Sequence, residues 1–155
     1  MAAVHFAVKE SSTAPGSIPV TWDPINKNAA VALSNHNLTA TMPSALTRSG
    51  FGTLTRSTGK YIIRFDIVAE TNLLGIGFAN ASEVSTNWVG QSANSVGPDP
   101  TGDVYTNNAV VARGDGFVAG DVVYCVLDIT NERWWHKVNS GTWNNTSADP
   151  EAGTG

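Results

Sequence analysis

Short runs of β-branched and aromatic residues, separated by turn-forming residues at intervals of about eight to twelve positions, fill the chain from Trp22 onward. This spacing is typical of the strands of a β-sandwich or barrel. No stretch of the sequence combines a sustained helical period of apolar residues with capping residues at its ends. The pattern therefore predicts an all-β protein.

The composition favours the same fold class. Charged residues make up 14% of the chain, against about 25% in an average soluble domain. Asn, Thr, Ser and Gly take their place, and these residues suit strands and tight turns, whereas exposed helices usually carry Glu, Lys and Arg. The net charge is −4, so the sequence lacks the cationic surface of a nucleic-acid or anionic-membrane binder, and we expect neither partner.

The length of 155 residues suits one domain with a core of its own. The single cysteine, Cys125, lies in an apolar run and is interpreted as a buried strand residue rather than a reactive thiol. No apolar run approaches the roughly 18 residues of a membrane span, and residues 1–10 do not resemble a signal peptide. We expect a soluble protein that is not exported by way of a signal peptide, without a cofactor and without insertion into a membrane.

The clearest predicted strand covers residues 61–68. Tyr61, Ile63, Phe65 and Ile67 share one face of this strand, which should belong to the core, because side chains alternate along a strand. The segment 73–79 follows, and its glycines Gly75 and Gly77 permit a ring or another backbone to approach closely.

Two hairpins are predicted in the second half of the chain. The strands 104–106 and 109–112 flank Asn107 and Asn108, two residues that tolerate the positive φ of a type I′ turn. The strands 122–129 and 133–138 flank residues 130–132, and the second of them places the neighbours Trp134 and Trp135 on opposite faces.

The order of these elements resembles that of a SPRY domain. The resemblance covers roughly residues 22–155 and implies a concanavalin-like sandwich of two antiparallel sheets that binds other molecules and does not catalyse a reaction. The motifs that carry it are Trp22-Asp23-Pro24, residues 31–35, 37–41 and 59–65, Gly75-Ile76-Gly77-Phe78-Ala79, Gly120-Asp121, Leu127-Asp128-Ile129, Trp134-Trp135-His136-Lys137 and Trp143-Asn144.

The opening at residues 33–41, the neutral surface and the closing residues 149–155 are similar to SPRY-like modules of tailed-bacteriophage structural proteins. This resemblance implies a non-enzymatic virion protein, used for capsid decoration or as part of a head fibre or tail fibre. It would be made in the host cytoplasm without a signal peptide and located on the particle surface. Its partners would be other virion proteins or further copies of itself, and a glycan or protein of the host surface. Two alternatives are an adhesin module for a host receptor or glycan, and a SPRY-type protein-interaction adaptor.

SPRY domains normally continue beyond the point that corresponds to Gly155, with strands that complete the sandwich. We therefore divide the chain into an N-terminal arm, residues 1–20, and a SPRY-like sandwich, residues 21–155. Either the sequence is a fragment, or residues 4–8 or a neighbouring subunit supply the missing strand, with Val4, Phe6 and Val8 as assembly residues. We predict that the open sheet position beside the strand 122–129 is occupied by another segment.

No arrangement of residues indicates catalysis or a metal site. The histidines His5, His36 and His136 have no spaced partner of the kind that binds zinc, and Asp66 and Glu70 do not form the facing carboxylate pair of a glycosidase. The acidic residues Asp99, Asp103 and Asp115 fit no calcium-loop spacing and are interpreted as turn formers.

Binding residues are predicted among aromatic side chains in or beside loops, and in the long neutral loop 82–102. Exposed aromatic side chains are the usual anchors for protein partners and the usual platforms for sugar rings. The candidates are Trp88, Gln91, Asn94, Tyr105, Trp134 and Trp143.

Overall fold

The protein is described by a computed structural model over residues 20–42, 48–70 and 74–154, and over residues 2–9 for the backbone. This part of the chain contains twelve β-strands and no helix that is long and apolar enough to cross a membrane. The strands are β1 Ala2–Lys9, β2 Trp22–Lys27, β3 Ala32–Ser34, β4 Thr39–Met42, β5 Gly50–Gly52, β6 Lys60–Ala69, β7 Phe78–Ala79, β8 Ser95–Pro98, β9 Asp103–Thr106, β10 Ala109–Arg113, β11 Val122–Asp128 and β12 Arg133–Val138.

A six-stranded antiparallel sheet has the order β12-β11-β6-β1-β4-β3. Its longest strand, β6, contains the predicted strand 61–68. Phe65 and Ile67 are buried, with exposures of 1% and 2%, and Ile63 packs against the same cluster. The predicted core face of this strand is therefore confirmed at these three residues.

The strand β1 lies between β6 and β4 and pairs with both. It is the element that joins the β3–β4 pair to the other three strands of the sheet. The strand β11 has β6 on one side and β12 on the other, which confirms the prediction that the position beside it is occupied. Val4, Phe6 and Val8 thus lie in a strand of this chain's own sheet, which agrees with the alternative in which residues 4–8 supply a strand of the sandwich. This strand lies between β4 and β6 and not beside β11.

A four-stranded sheet, in the order β10-β9-β8-β7, and a two-stranded ribbon of β2 and β5 complete the described strands. The turn between β9 and β10 is the predicted one, with φ of 52° at Asn107 and 58° at Asn108. Gly77 permits the predicted close approach, because a Cβ at this position would lie 2.1 Å from the carbonyl oxygen of Val96 in β8.

The core forms where side chains of the six-stranded sheet meet those of the loops and of the β2–β5 ribbon. Its buried members include Trp22, Ile76, Phe117, Val123 and Cys125. Burial raises the pKa of the Cys125 thiol far above its ordinary range, so this residue is the inert strand residue that the sequence predicts.

The opposite face of β12 is covered by the last described residues, 149–154. Trp135 is fully buried there, and its indole Nε1 donates a hydrogen bond to the carbonyl oxygen of Thr154 at 2.9 Å. Arg133 donates to the carbonyl oxygen of Gly153, and Lys60 of β6 donates to that of Pro150. These donors hold the segment against β6 and β12.

Candidate functional site

The loop 80–95, between β7 and β8, is organised around the carboxylate of Glu83. Its Oε1 accepts hydrogen bonds from the side-chain amide of Asn87 at 2.8 Å and from the backbone N–H of Val84 at 3.0 Å. Its Oε2 accepts one from the hydroxyl of Ser92 at 2.6 Å. Partial burial alone would raise the pKa of Glu83, but the hydrogen bonds, those from Ser92 and Ser95 foremost, hold this pKa below its ordinary value.

The aromatic pair of the site is Trp88 in this loop and Tyr105 in β9. Their ring centroids lie 5.1 Å apart at an interplanar angle of 80°, an edge-to-face contact. The backbone N–H of Trp88 donates to Oε1 of Gln91 at 3.2 Å. Gly90 has a φ of +92°, and a Cβ there would lie 2.4 Å from the Cβ of Tyr105. The loop can follow this path against Tyr105 because residue 90 has no side chain.

The tip of the β9–β10 hairpin fixes the other end of the loop. Asn107 donates its backbone N–H to the carbonyl oxygen of Ser92, and Asn108 donates to that of Gly90, both at 2.9 Å. Asn80 and Asn94 tie the two ends of the loop together through a side-chain hydrogen bond of 3.0 Å. The loop is therefore held at several points by the strands around it.

Residues just before β5 support the loop from a third side. Ser49, which is buried, donates its hydroxyl to the carbonyl oxygen of Asn87 at 2.6 Å and its backbone N–H to that of Ser85 at 3.1 Å. Arg48 donates to the carbonyl oxygen of Thr86 at 3.3 Å. These contacts connect the loop to the β2–β5 ribbon.

The loop borders a cavity of about 500 Å³. Its walls are mainly apolar and aromatic, with contributions from both the loop and the interior face of β6, and they include Arg48 and Arg56. Lining residues that matter here are Trp22, Phe51, Tyr61, Ile63, Phe78 and Trp88. A cavity of this size and lining fits a bulky apolar group with a few polar contacts at the mouth.

The structure brings four of the six predicted binding residues together in this region: Trp88, Gln91, Asn94 and Tyr105. It places the other two elsewhere. Trp134 stacks on His136, with parallel rings 5.2 Å apart, and Trp143 lies against the ammonium group of Lys137, at 4.7 Å.

Sequence reasoning missed Glu83, Ser49 and Gly90. Ser49 and Gly90 carry no local signal that distinguishes them from other turn residues. Glu83 does carry one, because it is the only charged residue in the stretch 71–98. A lone carboxylate among many hydroxyl and amide groups indicates a hydrogen-bonding hub.

Two of the acidic residues considered for catalysis and metal binding, Asp66 and Asp99, have structural partners. Asp66 is paired with Arg64 at 2.5 Å. Asp99 accepts hydrogen bonds within its own turn from the backbone N–H groups of Thr101 and Asp103, so it is the turn former that the sequence predicts. The described part of the chain contains no group of three or more His, Cys, Asp or Glu residues that could hold a metal ion.

Comparison with known proteins identifies the fold. No family model matches the chain, and no curated protein matches it. Among solved structures, the chain is similar to the SPRY domain of human HERC1, with a TM-score of 0.59 and 19% sequence identity. The likeness covers 79% of this chain and 77% of that domain. The chain therefore has a SPRY-like β-sandwich fold, as the motif order implies.

Proposed function

We propose that this protein is a non-enzymatic binding module, and that it engages a protein partner through the surface formed by the loop 80–95 and Tyr105. The observation that carries the proposal is the Trp88–Tyr105 pair: Trp88 lines the cavity from a loop held by hydrogen bonds, and Tyr105 packs on it from β9.

The fixed shape of the loop favours tight binding. Glu83, Ser49 and Asn107 each hold part of its backbone or side chains. A surface that is ordered before the partner arrives loses less conformational entropy on binding than a mobile one. Aromatic side chains on such a surface are common hot spots of protein interfaces.

The cavity gives the partner's side chain a place to enter. A volume of about 500 Å³ can receive an aromatic or a large aliphatic side chain, which would pack on the lining residues Trp88, Tyr61 and Phe51. We therefore propose a peptide segment with one bulky apolar anchor as the ligand.

A display experiment tests this proposal. Peptides are selected from a random library on the wild-type protein, and their Kd values are measured for Trp88→Ala and for the control Trp143→Ala, whose ring packs on Lys137. We expect Trp88→Ala to weaken binding at least tenfold, an effect of about 1.4 kcal/mol, and Trp143→Ala to leave it within twofold. Selected peptides that bind Trp88→Ala as tightly as wild type would contradict the proposal.

A glycan is a second candidate ligand for the same surface. Gln91, Asn107 and Asn108 are exposed around the aromatic pair, and amide groups beside an aromatic ring suit sugar hydroxyls and ring faces. A glycan array probed with wild type and Trp88→Ala distinguishes this candidate from a peptide ligand.

We propose, from the sequence resemblance alone, that the module acts on the surface of a tailed-bacteriophage virion and contacts virion proteins or further copies of itself. Mass spectrometry of purified particles tests this location. Hundreds of copies per particle would indicate a capsid protein and a few copies a tail or fibre component, while absence from particles would refute the location.

A further inference from the structure

The imidazole of His136 is buried in the fold. The residue has an exposure of 1%, and neither ring nitrogen has a hydrogen-bond partner within the described part of the chain. Buried polar atoms are normally paired, since leaving one unpaired costs free energy, so an exception of this kind asks for an explanation.

Two flat surfaces hold the ring in place. One is the indole of Trp134, which is stacked parallel to it at 5.2 Å. The other is the backbone of Gly114, where a Cβ would lie only 2.2 Å from Cε1 of His136. The ring therefore occupies the space that a side chain at position 114 would need, and it supports the segment 114–117 at Gly114.

The segment 114–117 depends on close backbone packing throughout. Gly114 donates its N–H to the carbonyl oxygen of Gly102 at 2.9 Å, and Phe117 donates to that of Pro100 at 3.0 Å. A Cβ on Gly116 would lie 2.5 Å from the same carbonyl oxygen of Pro100. The segment ends at Phe117, a core residue with an exposure of 1%. A change in the position of His136 would thus reach the core through the segment that runs from Gly114 to Phe117.

The charged group that acts on His136 is Asp115, in the segment itself. Cys125, directly opposite on β11, is a buried neutral thiol, and Trp134 and Asn144 are uncharged. Burial lowers the pKa of His136, and the backbone and carboxylate of Asp115 act in the opposite direction. The imidazole is therefore neutral at pH 7.

We propose that His136 is a pH-sensitive latch: the neutral ring holds the segment 114–117 against β12, and protonation releases the segment so that water can reach the imidazolium. The imidazolium has a donor at each nitrogen, and neither nitrogen has an acceptor in hydrogen-bonding geometry within the described part of the chain. Asp115 already acts on the ring in the closed state, but its effect is smaller than that of burial. Opening of the segment exposes the ring to water, which supplies the acceptors. This device is separate from the Trp88 surface.

The direction of the pH dependence follows from the lowered pKa. Between the folded pKa and the ordinary value near 6.5, the opened state binds more protons than the closed state. The closed state is therefore fully stable above pH 6.5 and loses stability as the pH falls below that value. The loss stops once the folded pKa has been passed.

NMR spectroscopy of the whole protein tests the latch. The imidazole of His136 is titrated between pH 8 and pH 4.5, together with the backbone amides of residues 114–117. We expect His136 to titrate below pH 6.5 and the four amides to shift with the same midpoint. The hydrogen-exchange protection factor of Phe117 should fall at least tenfold over this range.

The matched variant is His136→Phe, which keeps an aromatic ring against Gly114 but cannot be protonated, while His5 and His36 remain as internal references. Amides that shift equally in His136→Phe, or that stay still while His136 titrates in wild type, would overturn the proposal. Should this variant fail to fold, Asp115→Asn provides the second test. Loss of that carboxylate should move the His136 midpoint to lower pH, and the midpoint of the four amides should move with it. Amides that do not follow His136 in this variant would equally overturn the latch.

Discussion

Asn144 caps the free edge of β12 at His136. The backbone N–H of His136 donates to Oδ1 of Asn144 at 2.9 Å, and the backbone N–H of Asn144 donates to the carbonyl oxygen of His136 at 2.8 Å. The side chain and backbone of Asn144 thus bond His136 as a neighbouring strand would. An outermost strand with free N–H and C=O groups is a site of unwanted strand pairing, and this cap removes one such position.

The first prediction concerns this cap. Asn144→Ala should lower the free energy of unfolding by about 1–3 kcal/mol, because it leaves a buried N–H of His136 without an acceptor. Asn145→Ala is the matched control: both residues have positive φ, 50° and 53°, but the side chain of Asn145 has no corresponding bond to β12. Urea denaturation measures both variants, and equal losses would show that backbone strain, not the cap, accounts for the effect.

The second prediction concerns Glu83. Glu83→Gln should destabilise the protein by about 1 kcal/mol and make the loop 80–95 more sensitive to proteolysis, because one acceptor oxygen is replaced by a donor. Since the folded pKa of Glu83 is lowered, the carboxylate's contribution is present above its ordinary value of 4.5 and is lost as the pH falls through the folded pKa. The difference from wild type should therefore shrink in acid. Glu132→Gln, in the β11–β12 turn, serves as the control. If the loop 80–95 is cleaved as readily in this control as in Glu83→Gln, Glu83 does not organise the loop.

The third prediction concerns Gly90. Gly90→Ala should be more destabilising than Gly120→Ala by at least about 2 kcal/mol, because the new methyl group would collide with Tyr105. The two glycines have nearly the same φ, +92° and +96°, and nothing lies within 4 Å of a Cβ at Gly120. The control thus contains the backbone strain without the collision. Thermal unfolding of both variants measures the difference in their stability, and equal losses would contradict the prediction. Near-UV circular dichroism should show a changed Trp88 environment only in Gly90→Ala.

The fourth prediction concerns β1. Phe6→Pro should cost about 3 kcal/mol or more, because proline in a central strand removes a backbone donor and cannot adopt the regular pairing. Phe6 pairs with Phe65 in the middle of β6. Chemical denaturation and hydrogen exchange of the β6 amides measure the effect. A variant as stable as wild type would show that residues 2–9 do not lie between β4 and β6 in solution.

Local chemistry made some elements predictable from the sequence. Two adjacent asparagines specify the turn at Asn107 and Asn108, and period-2 alternation specifies the interior face of β6, because both signals depend only on neighbouring residues. The partners of β1 were beyond such reasoning. The alternating residues 4–8 indicate a strand, but the choice of β4 and β6 depends on the shape of the whole sheet.

The candidate site was predictable in part for the same reason. Trp88 and Tyr105 are aromatic residues in or beside a neutral loop, and in the structure they are still in or beside that loop, in contact with each other. Trp143 has the same local signal, yet it packs on Lys137 because the chain folds back over the outer face of β12. The long-range path of the backbone decides which aromatic rings lie near the cavity and which pack against the outer face of a strand.

The position of β1 also sets an order of events during synthesis. This strand leaves the ribosome before either of its neighbours, and its pairing with β6 joins Ala3 to Ala69. The strand β1 cannot have both of its neighbours until residue 69 has been translated, so one of its edges stays unpaired while β6 is being made. Contacts this distant in sequence slow folding and expose strand edges to other chains.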